Sequence, residues 1–241
     1  MEIKDNVNHK KVSRMLNGQN CNVLIKAPHI FHKLLSLTLS GWTYSQPIVD
    51  DYFELSVSLN NGKYHITSNL AYVPVPRSDL VDTLNEILLC LCYLLKAKNP
   101  DGFLIHCAAF YEKDRNNVIL ASKKSGKSTL VLDKSKQGVS ILADDLAIWF
   151  PMQGRLMCLG LPIRMRRPIP AEFHLKGQDF IAGKNIAYSK ATSVKCFQVG
   201  HLFVPDKIMT LNNRVTKSIS FWRWPSMLNA FAIDDTYSQL K

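Results

Sequence analysis

No apolar stretch in this chain of 241 residues is long enough to cross a membrane. The longest, Ile87–Leu95, is much shorter than the ~20 residues that a membrane-spanning helix needs. The N-terminal segment Met1–Lys11 is polar and charged, whereas a secretory signal has a basic start followed by an apolar run. We therefore expect a soluble cytoplasmic protein with no membrane partner.

The cysteine spacing that is typical of zinc sites and redox motifs is also lacking. No CxxC pair occurs, and all six cysteines have apolar neighbours: Cys21, Cys90, Cys92, Cys107, Cys158 and Cys196. This pattern predicts reduced core residues, not disulfides or zinc ligands. Internal repeats, low-complexity tracts and Gly/Ser-rich linkers are missing as well, so domain boundaries must be inferred from changes of pattern.

Acidic residues are in the minority. Thirty Lys and Arg stand against nineteen Asp and Glu, and the formal charge of +11 favours an anionic partner such as a nucleotide, an acidic peptide, nucleic acid or a membrane surface. The compact basic cluster Ile163–Arg167 has no aromatic-basic repeat or nucleic-acid motif beside it, so nucleic acid is not the expected partner. A solvated strand edge would explain this cluster equally well.

A change of pattern near residue 78 predicts two parts. From Cys21 to about Val75 the sequence favours β-strands, including Leu35–Trp42 and a hairpin around Asn60-Asn61-Gly62. Residues 79–98 then carry Leu and Ile at helical spacing, after Ser78 or Asp79 as a cap. We predict a small β-rich N-terminal lobe over residues 1–77 and an α/β catalytic domain over residues 78–241.

A candidate phosphate-binding loop follows two strand-like runs, Phe103–Tyr111 and Asn117–Ala121. In a Walker A loop, GxxxxGK[ST], backbone N–H groups surround phosphate oxygens, while Lys and a hydroxyl reach the β- and γ-phosphates and Mg²⁺. The pattern predicts that this loop binds ATP or another nucleoside triphosphate. Its residues are Ser122, Lys123, Lys124, Ser125, Gly126, Lys127, Ser128 and Thr129.

The first position of the motif departs from the pattern, because Ala121 stands where glycine is usual. Alanine is tolerated there at little cost if the backbone has ordinary strand angles. Lys123 and Lys124 either add charge to the phosphate site or face solvent. The alternative interpretation of the whole segment is an ordinary polar loop that caps a helix.

Two adjacent carboxylates lie downstream. A helix from Ser128 to Gln137, ended by Gly138, is followed by a strand over Val139–Ala143 that leads into Asp144 and Asp145, seventeen and eighteen residues after Lys127. That is about the distance needed to run up the helix and back along the neighbouring strand. Phosphoryl transfer needs one carboxylate near Mg²⁺ and another to orient the acceptor hydroxyl. Adjacent strand residues point to opposite faces, so we expect the strand to have ended before the pair.

His106 lies within a strand of small and apolar residues, next to the strand that precedes the loop. A histidine in such a place is commonly a core residue. It can also reach the phosphates, because both strands meet the loop at one edge of the sheet.

Taken together, LIHCAAF, NVILASKKSGKST and QGVSILADDLAIW resemble the catalytic core of HPr kinase/phosphorylase and its smaller relatives. The resemblance covers about His106 to Phe150 and implies a P-loop, PEP-carboxykinase-like core. It assigns catalysis to His106, Lys127 and Asp145. The resemblance also includes the hydroxyl of Ser128, and because phosphoryl transfer needs a carboxylate near Mg²⁺, we expect Ser128 and Asp144 to hold the metal.

The rest of the chain departs from that family. The second signature, with a metal-binding glutamate and a glycine-rich run, is not found around Gly160–Arg167, and Glu172 is the nearest candidate glutamate. GLPIRMRR resembles a shortened version found in compact relatives, in which an arginine contacts phosphate or acceptor. Arg164 and Arg166 are the candidates for that role.

The acceptor implied by the resemblance is a serine hydroxyl on a peptide or small protein. Small relatives of this length resemble tailoring kinases for lasso-peptide precursors, whereas full HPr kinases are hexameric, which leaves an oligomer open here. Two alternatives remain: a small-molecule hydroxyl kinase, such as a free-serine kinase, and a nucleotide-binding regulator without transfer activity.

Overall fold

The computed structural model of the protein describes residues 10–46, 51–69, 72–169, 179–212, 215–220 and 223–233, without the side chains of 224, 225 and 229. These residues form a mixed α/β structure with three sheets and few helices. Glu172, the candidate metal-binding glutamate, lies outside the described residues. Within them, no helix is long and apolar enough to cross a membrane.

The first sheet contains five strands in the order β3-β1-β2-β4-β5. Its elements are β1 (Lys11–Gly18), β2 (Cys21–Pro28), α1 (His29–Thr38), β3 (Thr43–Ser45), β4 (Phe53–Asn60) and β5 (Lys63–Ser68). The predicted hairpin is confirmed: Asn60 pairs with Lys63, and Asn61 and Gly62 have φ of 48° and 71°, as a type I′ turn requires.

The strand predicted at Leu35–Trp42 was wrong. Leu35–Thr38 form the end of α1 instead, because Phe31, Leu34, Leu35 and Thr38 recur at helical spacing and are all buried, and residues 39–42 lie between α1 and β3. The period of about 3.6 residues buries one helix face, whereas a strand would have put half of these side chains in solvent.

Helix α2 (Leu80–Lys98) packs between the first sheet and the central one. Asp79 caps it, because its carboxylate accepts hydrogen bonds from the N–H groups of Val81 and Asp82. The buried side chains of α2 belong to one core with β2, β4 and α1. The predicted core helix is therefore confirmed, and it links the N-terminal sheet to the rest of the molecule.

The central sheet has eight strands. Seven follow the order β14-β10-β9-β6-β7-β15-β16, and β8 also pairs with β6. Its elements, with helix α3, are β6 (Phe103–Glu112), β7 (Arg115–Leu120), α3 (Lys127–Lys136), β8 (Ser140–Ala143), β9 (Leu146–Phe150), β10 (Arg155–Met157), β14 (Leu202–Phe203), β15 (Lys207–Asn212) and β16 (Val215–Ser218).

The predicted order of strand, loop, helix and strand is present, but β8 does not lie beside β7. Strand β6 lies between them, antiparallel to both, because the short turn after Glu112 folds β7 back on β6 as a hairpin. As a result β7 and β8 still end at the same edge of the sheet. A third, three-stranded sheet and a short helix complete the described elements: β11 (Arg164–Arg166), β12 (Phe180–Ala182), β13 (Ile186–Ser189) and α4 (Trp224–Ala230).

The N-terminal lobe is hydrogen-bonded to the segment that leads into β11. Ser40 donates its N–H to the carbonyl of Gly160, Val199 donates to the carbonyl of Ser40, and the Trp42 indole donates to the carbonyl of Leu159. Gly160 has φ of +66°, and a Cβ there would collide with the Ser40 carbonyl oxygen. This contact therefore needs glycine for both its backbone angle and its space.

Gly160→Ala is expected to lower the free energy of unfolding by roughly 2–5 kcal/mol, from backbone strain plus the steric clash. Gly154→Ala is the matched control, because Gly154 has φ of +62° but open space around a Cβ, and it should lose only about 1–2 kcal/mol. Urea unfolding of both variants measures the difference. Equal losses would show that the close approach to Ser40 contributes nothing.

Candidate active site

The phosphate-loop residues connect the end of β7 to the start of α3. Gly126 has φ of +97°, the left-handed conformation that glycine adopts freely, and it precedes the first residue of the helix, Lys127. Ala121 is buried and is not among the residues with positive φ, so alanine fits this position as expected. The first N–H groups of α3 have no partner within the helix and form, with the loop, a site suited to an anion.

The loop residues differ in their exposure to solvent. Ser122, Lys123, Lys124, Ser125, Gly126 and Thr129 line a cavity of about 480 Å³ together with Leu211 and Asn212 from the end of β15. Lys123 and Lys124 are exposed at this cavity. Lys127, in contrast, is buried, so the loop lysines differ in their surroundings: Lys123 and Lys124 are exposed, whereas Lys127 lies inside the protein.

The Lys127 ammonium lies underneath the loop. Its Nζ donates hydrogen bonds to the carbonyl oxygens of Ala121 at 2.6 Å and Ser122 at 3.1 Å. Burial lowers the pKa of Lys127, and the negative charges of Asp145 and Asp144 oppose this shift. The ammonium is thus held by loop carbonyls within the electrostatic field of the aspartate pair.

The aspartate pair interrupts a strand. Strands β8 and β9 lie end to end against β6, with Ala143 opposite Ala109 and Leu146 opposite His106, and the pairing of β8 shifts register between Ala109 and Phe110. Between them Asp145 has φ of 74°, which is uncommon for a residue other than glycine and is typical of functional sites. The expectation that the strand ends before the pair is confirmed.

Asp145 lies between two side chains that hold its carboxylate from both sides. Its Oδ1 is 2.8 Å from His106 Nε2, and its Oδ2 is 2.9 Å from Arg164 Nη1. Burial would raise the pKa of Asp145, but the hydrogen bond to His106 and the charges of Arg164 and Lys127 outweigh it and lower the pKa to about 2. The carboxylate is therefore ionised, and since it can only accept, His106 Nε2 carries a proton.

Asp144 has the opposite electrostatic environment. It is only 1% exposed, and burial together with the charge of Asp145 raises its pKa to about 7. Its Oδ2 accepts the backbone N–H of Arg164 at 2.8 Å, and the nearby Ser128 hydroxyl also favours the ionised form. Its Oδ1 is buried without a hydrogen-bond partner. Two adjacent aspartates thus differ in pKa by several units.

These residues fit Mg²⁺. Magnesium binds oxygen ligands and is commonly held by one or two carboxylates, with substrate phosphates and waters completing its shell. Asp144 Oδ1 is a buried oxygen that lacks a partner, and the Ser128 hydroxyl lies beside the same carboxylate. No group of three or more His, Cys, Asp or Glu side chains that could hold a metal occurs within the described ranges.

The two candidate arginines behave differently. Arg164, at the start of β11, contacts both aspartates, through its side chain to Asp145 and its backbone N–H to Asp144. Arg166 is exposed, and its charge contributes to the lowered pKa of Lys127. The structure thus brings His106, Arg164 and the aspartate pair together beside Lys127.

Two side chains at this site were missed by the sequence analysis. Asn85 of α2 and Tyr188 of β13 both contact the Arg164 network and line, with the aspartates, a small cavity of about 20 Å³ that can hold one water molecule. Asn85 had a detectable signal, since a polar residue stands at helical spacing between Val81 and Leu88 on the apolar side of α2. Tyr188 had none.

No protein-family model, no curated protein and no solved structure matches this chain.

Proposed function

We propose that this protein is an ATP-dependent kinase that transfers the γ-phosphoryl group to a serine hydroxyl, with a P-loop core of the HPr-kinase-like type. The observation that carries the proposal is the contrast between the two aspartates. Asp145 is ionised and held by His106 and Arg164, while Asp144 lies near the loop hydroxyl of Ser128 and its Oδ1 has no hydrogen-bond partner. A phosphate-binding loop with one orienting and one metal-binding carboxylate is the arrangement that phosphoryl transfer uses.

The phosphates are bound by the chain itself. The backbone N–H groups of Ser122–Lys127 and the start of α3 surround the β- and γ-phosphates, and the Lys127 ammonium exchanges its two carbonyl partners for phosphate oxygens. When bound, Mg²⁺ supplies positive charge that offsets the charge developing on the phosphate oxygens, with Asp144 and Ser128 as its protein ligands. Arg164 and Arg166 add positive charge on the acceptor side.

Asp145 acts on the acceptor. Its carboxylate accepts a hydrogen bond from the serine hydroxyl and orients the oxygen toward the γ-phosphorus. The new O–P bond forms as the bond to the leaving ADP oxygen breaks, and the hydroxyl proton passes to Asp145. With a pKa of about 2, Asp145 is too weak a base to remove that proton beforehand, so proton transfer comes late in the step.

The acceptor that we propose is a serine in a peptide or small protein, such as a lasso-peptide precursor. This part of the proposal rests on the resemblance of LIHCAAF, the loop and LADDLAIW to small HPr-kinase-like enzymes. The net charge of +11 is compatible with an acidic peptide as well as with the nucleotide.

The test is incubation of the purified protein with Mg²⁺, γ-labelled ATP and a panel of serine-bearing acceptors, including peptides encoded beside its gene and free serine. Label is expected on a peptide serine, and Lys127→Ala should reduce the rate by about 10²–10³-fold, as loss of a charge-stabilising group does. Label on free serine alone would indicate a small-molecule kinase. Bound ATP with no label on any acceptor would overturn the proposal in favour of a nucleotide-binding regulator.

A further inference from the structure

Arg164 is held by a residue that belongs neither to the phosphate loop nor to the aspartate segment. Its Nη1, 2.9 Å from Asp145 Oδ2, is also 3.2 Å from the side-chain oxygen of Asn85. A hydrogen bond to Asn85 and an ion pair with Asp145 therefore meet at the same guanidinium nitrogen. The orientation of the guanidinium is thereby determined by Asp145 on one side and Asn85 on the other.

The orientation of the Asn85 amide follows from chemistry. Arginine has only donors, so Asn85 must present its oxygen and not its NH₂ group to Nη1. The same oxygen accepts the hydroxyl of Tyr188 at 2.8 Å, and Tyr188 is 3% exposed. Asn85 Oδ1 therefore receives two donors, Tyr188 and Arg164, and the ion pair of Arg164 with Asp145 extends this network to the carboxylate.

The position of Asn85 is rigid. Helix α2 is capped by Asp79 and packed along its length into the core that it shares with the N-terminal sheet. The next residue, Glu86, is 2% exposed and accepts hydrogen bonds from the Tyr72 hydroxyl and the Arg77 guanidinium. A side chain on such a support can hold a neighbouring group in one geometry, which a loop residue does less accurately.

We propose that Asn85 is a positioning residue for phosphoryl transfer, acting through Arg164 on Asp145. This inference rests on the proposed function. Asn85 contacts neither the phosphate loop nor Lys127 in the described structure, so it should affect the transfer step and leave nucleotide affinity alone. Tyr188 supports the same amide from the third sheet.

The kinetic test compares Asn85→Leu, which keeps the approximate shape but removes the acceptor, with Asn85→Asp, which keeps an acceptor oxygen. Asn85→Leu is expected to lower kcat by about 10- to 100-fold with KM for ATP within about twofold, as loss of a supporting hydrogen bond does. Asn85→Asp should recover most of that loss. Asn99→Leu is the matched control, because the Asn99 side chain donates its hydrogen bond to the carbonyl of Leu95 at the far end of the same helix.

A double-mutant cycle shows whether Asn85 acts through Arg164. In an Arg164→Met background, Asn85→Leu should change kcat by less than about twofold, because the group that it positions is gone. Additive losses would overturn the proposal. The proposal also fails if Tyr188→Phe alone lowers kcat as much as Asn85→Leu does while the NMR signals of the Arg164 guanidinium are unchanged. Asn85 would then act by holding the Tyr188 hydroxyl and not by positioning Arg164.

A measurement that needs no activity separates this inference from the proposed function. The measurement is NMR spectroscopy of the protein labelled with ¹⁵N-arginine, in which the variant Arg164→Lys identifies the signals of Arg164. In the wild type the guanidinium of Arg164 should rotate slowly and give resolved Nη signals. In Asn85→Leu it should rotate faster, so that these signals average. Averaged signals in the wild type would overturn the positioning role. Absence of kinase activity with resolved Arg164 signals would instead overturn only the proposed function and leave the positioning network standing.

Discussion

Asp145→Asn is expected to lower the rate of phosphoryl transfer by about 10²–10⁴-fold, the range for loss of a positioned proton acceptor. The amide keeps an oxygen for one neighbour but cannot take the hydroxyl proton. Asparagine also tolerates the left-handed backbone, here with φ of 74°, so the segment between β8 and β9 should keep its shape. Single-turnover transfer of label from γ-labelled ATP to the acceptor serine measures the loss.

Nucleotide binding should survive the same change. Asp145 is not part of the loop, and removing its negative charge relieves repulsion of the γ-phosphate, so the Kd for Mg·ATP should be equal to or lower than that of the wild type. Asp133→Asn is the matched control, because Asp133 contacts Gln137 on the exposed side of α3. Turnover retained in Asp145→Asn would remove Asp145 from the role of proton acceptor, whatever the affinity for ATP.

Features encoded by local sequence could be predicted. The hairpin at Asn61-Gly62 depends on two residues that adopt positive φ, and helix α2 depends on its Asp79 cap and the spacing of its leucines. The break in the strand at Asp144-Asp145 follows from the expectation that both carboxylates serve one site. Each of these inferences uses residues within one element or its immediate flanks.

The features that were not predicted depend on contacts between distant segments. The run Leu35–Trp42, which overlaps the end of helix α1, was predicted as a strand because a short apolar run fits the period of a strand as well as that of a helix. Burial of one helix face against the first sheet decides between the two. Strand β6 lies between β7 and β8 because it pairs with both of them. The number of residues between strands in the sequence does not determine which strands pair. Asn85 is a polar residue on an apolar helix face, which indicates that it has a hydrogen-bond partner inside the protein. The partner, Arg164, is 79 residues away in the sequence, so the sequence does not identify it.

The residues of the candidate site come from the central sheet, from helix α3 and from the third sheet. The strand–loop–helix segment supplies the phosphate loop, Lys127 and Ser128, and the β8–β9 break supplies the aspartates. Arg164 comes from the third sheet, and the Leu159-Gly160 segment leading to it is hydrogen-bonded to the N-terminal lobe at Ser40 and Trp42.

Asp144→Asn is expected to stabilise the metal-free protein at alkaline pH. The pKa of Asp144 is raised by burial and by Asp145 from about 3.8 to about 7, so the folded state binds a proton that the unfolded state has lost between these values. The stability from this group is thus fully present below pH ~4 and is lost as pH rises through ~7. At pH 8 the ionised carboxylate costs up to about 4 kcal/mol, which the neutral amide avoids.

The expected result is a free energy of unfolding that falls from pH 5 to pH 8 in the wild type more than in Asp144→Asn, measured by urea unfolding in the presence of a chelator. Asp133→Asn serves as the control, because Asp133 is exposed on α3 and its side chain bonds to Gln137, so the change leaves the burial of Asp144 and the charge of Asp145 in place. A difference between wild type and Asp144→Asn that does not change with pH would contradict the prediction, because it would mean that folding does not alter the protonation of Asp144 between pH 5 and pH 8. With Mg²⁺ and ATP present at pH 8, the wild type should instead be more stable than Asp144→Asn. The reason is that Asp144 Oδ1, whose burial without a partner destabilises the metal-free protein, is the oxygen that we propose binds the metal.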